Sequence, residues 1–79
     1  MLVRISNLVD SVSEEDVLKL FRKYGPVSEP RTVVDRYTSK DLIIVFVNVH
    51  DPEKGAKAIT DLNGMVIEDE IIEVLMNAL

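Results

Sequence analysis

The chain has 79 residues, a net charge of −5 and no cysteine. Its length fits a single domain spanning residues 1–79, near the lower limit at which a hydrophobic core can offset chain entropy, and its 47% hydrophobic content argues against disorder. The lack of cysteine excludes disulfides and thiolate zinc sites, the longest apolar run is too short to span a bilayer, and the acidic balance argues against binding nucleic acid by bulk electrostatics alone.

The segment LVRISNL, residues 2–8, has the alternation of a half-buried strand. Arg4 and Ser6 point to one face of it. The residues suited to the core face are Val3, Ile5 and Leu8. We therefore expect a first strand with one polar face.

A first helix is predicted to begin after Ser13, which opens a Ser-x-x-acid capping box and precedes three acidic residues. Its apolar residues recur at helical spacing and are Val17, Leu20, Phe21 and Tyr24. Gly25 as a left-handed cap and Pro26, which cannot continue a helix, should end it.

Two strands should follow, separated by the polar turn at residues 35–41. Residues 27–35 form the first of them, and Pro30 lacks a backbone donor, which places this strand at a sheet edge or Pro30 at its first residue. Residues 41–49 form the second, an apolar run with no polar face. Its helix-facing residues should be Ile43, Val45, Val47 and Val49. The other face should carry Leu42, Ile44, Phe46 and Asn48.

Asp51 as N-cap and Pro52 at the first helical position predict the start of a second helix, which Asn63 and Gly64 should end. Its buried stripe should contain Ala56, Ile59 and Leu62. Gly55 weakens the helix but would permit close packing on the sheet.

Residues 65–69 should be a short connection, and residues 70–76 alternate as a fourth strand with Ile72, Val74 and Met76 on one face. The predicted order is βαββαβ. Two right-handed strand–helix–strand units then interleave into an α+β ferredoxin-like sandwich, a four-stranded antiparallel sheet with both helices on one face. Its other face is left open to a partner.

With this order the chain resembles an RNA recognition motif over essentially its whole length. Four segments are similar to that family's first strand, first helix, loop between the second and third strands, and second helix. They are VRISNL at 3–8, SEEDVLKLFRKYG at 13–25, DRYTSK at 35–40 and HDPEKGAKAITDLNG at 50–64. The resemblance implies binding of single-stranded RNA on the open sheet face, where aromatic side chains stack on bases.

The family's three exposed aromatic positions fall on Arg4, Ile44 and Phe46, so one aromatic remains. Base stacking contributes roughly 1–3 kcal/mol per base, so the loss of two of three aromatic positions should make RNA binding weak. Arg4 would restore part of the lost binding free energy, because a guanidinium stacks on bases and attracts phosphate. The residues expected to contact RNA are Arg4, Ser6, Arg31, Arg36, Lys40, Ile44 and Phe46. Acidic residues on the fourth strand and its approach should repel RNA there; they are Glu68, Asp69, Glu70 and Glu73.

The alternative is a protein-interaction module that uses the same sheet face. Aliphatic residues in place of aromatics, the acidic fourth strand and the net charge favour it. Its docking residues would be Leu42, Ile44, Phe46, Ile71 and Leu75. Arg4 would then be a solvated sheet residue, paired with Glu73 across the strands.

No pattern typical of catalysis or metal binding occurs in the sequence. There is no nucleophile–base arrangement and no glycine-rich phosphate cradle, and the one histidine, His50, has no identifiable metal-binding partners. We therefore expect no enzymatic activity, no cofactor, no metal and no membrane partner. The lack of a signal-peptide pattern favours an intracellular protein, nuclear or cytoplasmic.

Overall fold

A four-stranded antiparallel sheet and two helices make up the fold, in a computed structural model that describes residues 1–28, 30–35 and 41–77. The helices are α1 (Glu14–Phe21), which a short 3₁₀ helix (Arg22–Tyr24) extends, and α2 (Pro52–Leu62). The strands are β1 (Leu2–Val9), β2 (Arg31–Val34), β3 (Leu42–Asn48), β4 (Val66–Ile67), β5 (Glu70–Ile71) and β6 (Glu73–Met76). The sheet order is β2-β3-β1-β6, so the predicted βαββαβ ferredoxin-like sandwich is confirmed.

The core lies between the helices and one face of the sheet. Val45, Val47 and Val49 are fully buried and Ile43 nearly so, as predicted for the helix-facing residues of this segment. β1 contributes Val3, Ile5 and Leu8, all buried. Full burial of one such side chain is worth about 1.5–3 kcal/mol, so these two central strands supply much of the stabilising free energy.

The predicted capping box starts α1. The Ser13 amide donates to Asp16 Oδ2, and the Asp16 amide donates to Ser13 Oγ, both at 3.1 Å. The hydrogen bond from the Ser13 amide, and to a smaller extent one from the Ser13 side chain to the same carboxylate, hold the pKa of Asp16 below its ordinary value. At the other end, Gly25 has φ 98° and ψ −167°. This conformation is open essentially to glycine only, although it differs from the expected left-handed helical cap.

Replacing Ser13 with alanine is expected to lower the free energy of unfolding by about 1 kcal/mol, because an amide at the helix start loses its acceptor.

Replacing Asp16 with alanine should also destabilise the fold, in a pH-dependent way. The pKa of Asp16 is lower in the folded chain, so its carboxylate stabilises the fold above pH about 4, and this contribution is lost as pH falls through the folded pKa. Thermal melts of Asp16→Ala and wild type at pH 7 and pH 3 measure this; an equal difference at both values would contradict it.

α2 begins as predicted and Leu62 is buried as predicted, but in the first two turns the buried positions lie one residue earlier than predicted. Asp51 Oδ1 accepts the amide of Glu53 at 3.0 Å, and Pro52 is the first helical residue. The buried residues are Gly55, Ala58 and Leu62, with Ile59 partly buried. Ala56 is exposed, so its predicted burial is wrong. The shift arises because the helix packs closely through Gly55, where an added Cβ would lie 2.8 Å from the Met1 sulfur.

β2 is shorter than predicted. It starts at Arg31, immediately after Pro30, and lies at the edge of the sheet. Val27 forms only an isolated bridge with Val49. The edge position agrees with the missing donor of Pro30, and it leaves all four residues of β2 exposed.

The predicted fourth strand is interrupted, and a small hairpin precedes its second half. β4 pairs with β5 in a separate two-stranded sheet, whose turn holds Glu68 and Asp69 at positive φ of 50° and 66°. The break falls at Ile72, since its amide donates to the Met65 carbonyl and its own carbonyl accepts the amide of Gly64. Of the three short strands β4, β5 and β6, only β6 pairs with β1 in the main sheet. By register Met76 shares the core face with Val74, but it is 59% exposed.

Candidate functional site

The uncovered face of the sheet carries one continuous row of side chains across all four strands. Cross-strand pairing joins Arg31 on β2 to Phe46 on β3, Phe46 to Arg4 on β1, and Arg4 to Leu75 on β6. Directly paired side chains in a sheet have Cβ atoms about 4.5–5.5 Å apart. The row Arg31–Phe46–Arg4–Leu75, named here the central row, therefore places one aromatic ring between two guanidinium groups.

A second row lies beside the central row. Val33 pairs with Ile44, and Ser6 pairs with Glu73. Between Ile5 and Leu8 the β1–β3 register shifts, and Asn7 there has φ 63°. The shift returns Leu8 to the core face after an extra residue. It also lets the Asn7 side-chain amide donate to the Ile71 carbonyl at 3.3 Å, which ties the β4–β5 hairpin to β1.

Phe46 is the aromatic residue that the described part of the chain places on this face. Phe21 and Tyr24 are buried in the core, and Tyr37 lies outside the described residues. Phe46 is half-buried, so part of its ring meets solvent. Its position on the face opposite the helices agrees with the prediction.

Arg4 forms the cross-strand ion pair that the sequence suggested. Its Nη2 lies 3.7 Å from Glu73 Oε1, and the two side chains are 38% and 51% exposed. This distance is too long for a hydrogen bond. Arg4 Nε is buried and has no partner among the described residues, so the outer nitrogens of the guanidinium are the ones open to a ligand.

Two residues predicted to serve on this face are less accessible than expected. Ser6 is 8% exposed, and its Oγ has no hydrogen-bond partner within the described residues. Strand alternation placed it correctly on the face with Glu73, but the short side chain is almost fully buried there. Leu42 is 4% exposed and lies outside the main core cluster. The expectation that Leu42 lies uncovered is therefore wrong.

The remaining predicted residues divide between the sheet and the hairpin. Arg31 is exposed and forms no ion pair in the part of the chain that the structure describes. Leu75 is 42% exposed in the central row, whereas Ile71 is 63% exposed but lies on the hairpin, paired with Val66. The other two predicted cations, Arg36 and Lys40, lie outside the described residues.

The helix side of the molecule has a cleft that the sequence did not predict. It has a volume of about 340 Å³ and is lined by Lys23, Tyr24, Lys54, Lys57 and Asp61. The Tyr24 hydroxyl donates to Asp61 Oδ2 at 2.9 Å. Burial raises the pKa of Tyr24, and the hydrogen bond from Tyr24 lowers the pKa of Asp61. This pair joins the 3₁₀ helix to α2.

Within residues 1–28, 30–35 and 41–77, no group of three or more His, Cys, Asp or Glu side chains is arranged to hold a metal ion. No helix among these residues is long and apolar enough to cross a membrane. The open face of the sheet carries an aromatic ring, apolar side chains and charged groups.

Comparison with known proteins agrees with this architecture. The sequence profile of the RNA recognition motif matches residues 3–73, and the chain belongs to that family. It is 37% identical over 71 residues to human Probable RNA-binding protein 19 and 35% identical over 71 residues to Multiple RNA-binding domain-containing protein 1 of Dictyostelium discoideum. Each alignment covers 90% of this chain but 7% and 8% of the respective relative.

Solved structures show the same fold. The crystal structure of RNA Binding Protein PG1 matches with a TM-score of 0.81 and 29% identity, over 95% of this chain and 90% of that one. The structure of the Rna15 RNA recognition motif with bound RNA (GU) matches with a TM-score of 0.81 and 23% identity, over 99% and 83% of the two chains. The ferredoxin-like fold and the family thus agree with the strand order and register described above.

Proposed function

We propose that this chain is a module that binds single-stranded RNA on the open face of its sheet. The observation that carries the proposal is the central row, in which the ring of Phe46 lies between Arg31 and Arg4 on the face without helices. A base stacks on the ring, and the two guanidinium groups attract the phosphates on either side. Arg36 and Lys40, which lie outside the described residues, are proposed as further phosphate contacts.

The affinity is proposed to be low. Arg4 and Ile44 stand where the family has aromatic residues, and each lost platform removes roughly 1–3 kcal/mol of stacking. The two lost platforms together remove about 2–6 kcal/mol of binding free energy, which lowers the affinity more than tenfold. Arg4 compensates only in part, because Glu73 competes for its guanidinium.

Titration of the ¹⁵N-labelled chain with a pool of short single-stranded RNAs at low salt tests the proposal. Amide signals of Arg4, Ile44 and Phe46 are expected to shift, and those of α1 to stay in place, because the helices lie on the other side of the sheet. The absence of any shift at near-millimolar RNA would contradict RNA binding by this module.

Replacing Arg31 with alanine is expected to weaken RNA binding a few-fold and to make it less sensitive to salt. Each phosphate contact on a single strand contributes roughly 0.7 to the slope of log K against log salt concentration, so the slope should fall by about that amount. Fluorescence anisotropy at several salt concentrations measures both effects. Arg22→Ala is the matched control, since Arg22 pairs with Glu15 on the helix side. An unchanged slope in Arg31→Ala would remove Arg31 from the interface.

Docking of an apolar protein segment on the same face is the second candidate. The observation that favours it is the exposed aliphatic surface beside Phe46, where Val33 and Leu75 are each 42% exposed and Ile44 lies next to Val33. A partner retained after nuclease treatment, and lost with Ile44→Asp, would support it. Loss of the partner on nuclease treatment alone would support the RNA-binding proposal instead.

The wider properties remain proposals of the same kind. Residues 1–79 act as one binding module without enzymatic activity or a bound cofactor, in the nucleus or cytoplasm. Family membership supports this, because the family recognises RNA by stacking and hydrogen bonding. Turnover of an RNA substrate by the pure chain would contradict it.

A further inference from the structure

Glu73 places a carboxylate on the open face, where a phosphate backbone would avoid it. It lies opposite Ser6 on β1, and the next pair of the same two strands on this face, two residues along, joins Arg4 to Leu75. The side chain is 51% exposed, and its oxygens accept no hydrogen bond from the described residues. Both oxygens are therefore open to donors from a ligand.

An ionised carboxylate accepts hydrogen bonds and donates none, so it selects a ligand edge that carries donors. The four bases differ sharply in this respect. The Watson–Crick edge of guanine has two adjacent donors, N1–H and N2–H. Adenine and cytosine have one amino group beside an acceptor, and uracil has one N–H between two carbonyl oxygens. A carboxylate thus matches guanine best and uracil worst.

Arg4 supplies the complementary donor. Guanine has the acceptor O6 next to N1–H, so its edge reads acceptor, donor, donor. The guanidinium of Arg4 and the carboxylate of Glu73 have their nearest atoms 3.7 Å apart and together supply the complementary donor and two acceptors. Phe46 is the neighbour of Arg4 in the central row, and Glu73 approaches Arg4 from the adjacent row, so a base stacked on the Phe46 ring would present an edge to the Arg4–Glu73 pair.

We propose that Arg4 and Glu73 form a guanine-selective subsite beside Phe46, with Glu73 as the residue that determines specificity. This inference rests on the proposed RNA-binding function. It assigns to Glu73 a recognition role, although the charge of the same residue disfavours the phosphate backbone.

The test compares four hexanucleotides that differ at one position in a uridine background, UUNUUU, by anisotropy or NMR titration. The wild-type chain should bind the guanosine-containing RNA about tenfold more tightly than the all-uridine RNA, with adenosine and cytidine between them, because a bidentate contact gives about this discrimination. In Glu73→Gln, which exchanges one acceptor for a donor, the preference should fall to about threefold or less. Affinity for the all-uridine RNA should stay the same or rise, since a negative charge has been removed.

Asp69→Asn is the matched control. It removes the same charge from the turn of the neighbouring hairpin, away from both rows, and asparagine tolerates the positive φ of 66° found there. The guanosine preference should persist in this variant. If Asp69→Asn and Glu73→Gln lose the preference equally, overall charge accounts for it and the subsite is overturned.

Two further outcomes separate this inference from the proposed function. Equal affinity of the wild-type chain for all four RNAs overturns the subsite and leaves RNA binding in place. Failure to bind any of the four at near-millimolar concentration overturns the proposed function, and the subsite with it.

Discussion

Replacing Phe46 with alanine is expected to lower the affinity for single-stranded RNA by about tenfold, within a range of roughly 5- to 150-fold. The physical reason is the loss of the aromatic surface from the central row. Base stacking requires a flat π-face, and neither the guanidinium of Arg4, which Glu73 holds in part, nor the aliphatic Ile44 replaces it. Anisotropy titrations of wild type and Phe46→Ala with one labelled RNA measure the change.

Two companion variants distinguish stacking from general apolar contact. Phe46→Tyr keeps the ring and should bind within about twofold of wild type, whereas Phe46→Leu keeps much of the apolar surface and should lose nearly as much affinity as alanine. Thermal melts establish that each variant is folded at the titration temperature. Equal binding by the leucine and phenylalanine forms would show that the ring contributes no stacking, and would favour the protein-docking alternative.

Most of the fold could be predicted because its signals are local. The Ser13–Asp16 box and the Asp51–Pro52 start are set by hydrogen bonds within one turn, and both are present. The alternating direction of successive side chains along β3 is likewise a property of one strand, although its residues are nearly all apolar. Because both helices were expected on one face of the sheet, burial of Val45 and Val47 could be inferred without knowing which helix residues contact them.

The features that sequence reasoning missed depend on contacts between distant segments. The buried stripe of α2 follows from the contact of Gly55 with Met1, 54 positions earlier in the chain. The interruption at Ile72 follows from its hydrogen bonds to the loop after α2. The register shift in β1 did leave a signal, because the core positions Ile5 and Leu8 are three residues apart, where strict alternation requires an even spacing.

In the candidate site, too, some features could be predicted from local signals and others depend on contacts between distant segments. Strand alternation and the family's strand order were enough to place Arg31, Phe46 and Arg4 on one face and to suggest the pair of Arg4 with Glu73. Exposure was harder to predict than orientation. Ser6 and Leu42 face the predicted side but are enclosed, because accessibility depends on the size and placement of neighbours on other strands.

Replacing Phe21 with alanine is expected to cause a large loss of stability, about 3–5 kcal/mol in the free energy of unfolding. Phe21 ends α1, is 1% exposed and has the largest of the fully buried side chains. Its removal leaves a cavity in the core, because a close-packed interior relaxes only partly around a lost side chain. A domain of this length has a total stability of only about 4–12 kcal/mol, so the variant should be close to unfolding. Urea denaturation followed by circular dichroism measures the loss.

Leu20→Ala is the matched control for this prediction. Leu20 precedes Phe21 on the same helix but is only partly buried, so its truncation should cost less than half as much free energy of unfolding.

Under conditions where Phe21→Ala remains folded, its affinity for RNA should equal that of wild type, because Phe21 lies on the helix side of the sheet and Phe46 on the other. If Phe21→Ala lowered the free energy of unfolding by less than about 1 kcal/mol, the core would be shown to close around the missing ring. A loss of RNA affinity in the folded variant would show instead that the two faces of the sheet are coupled.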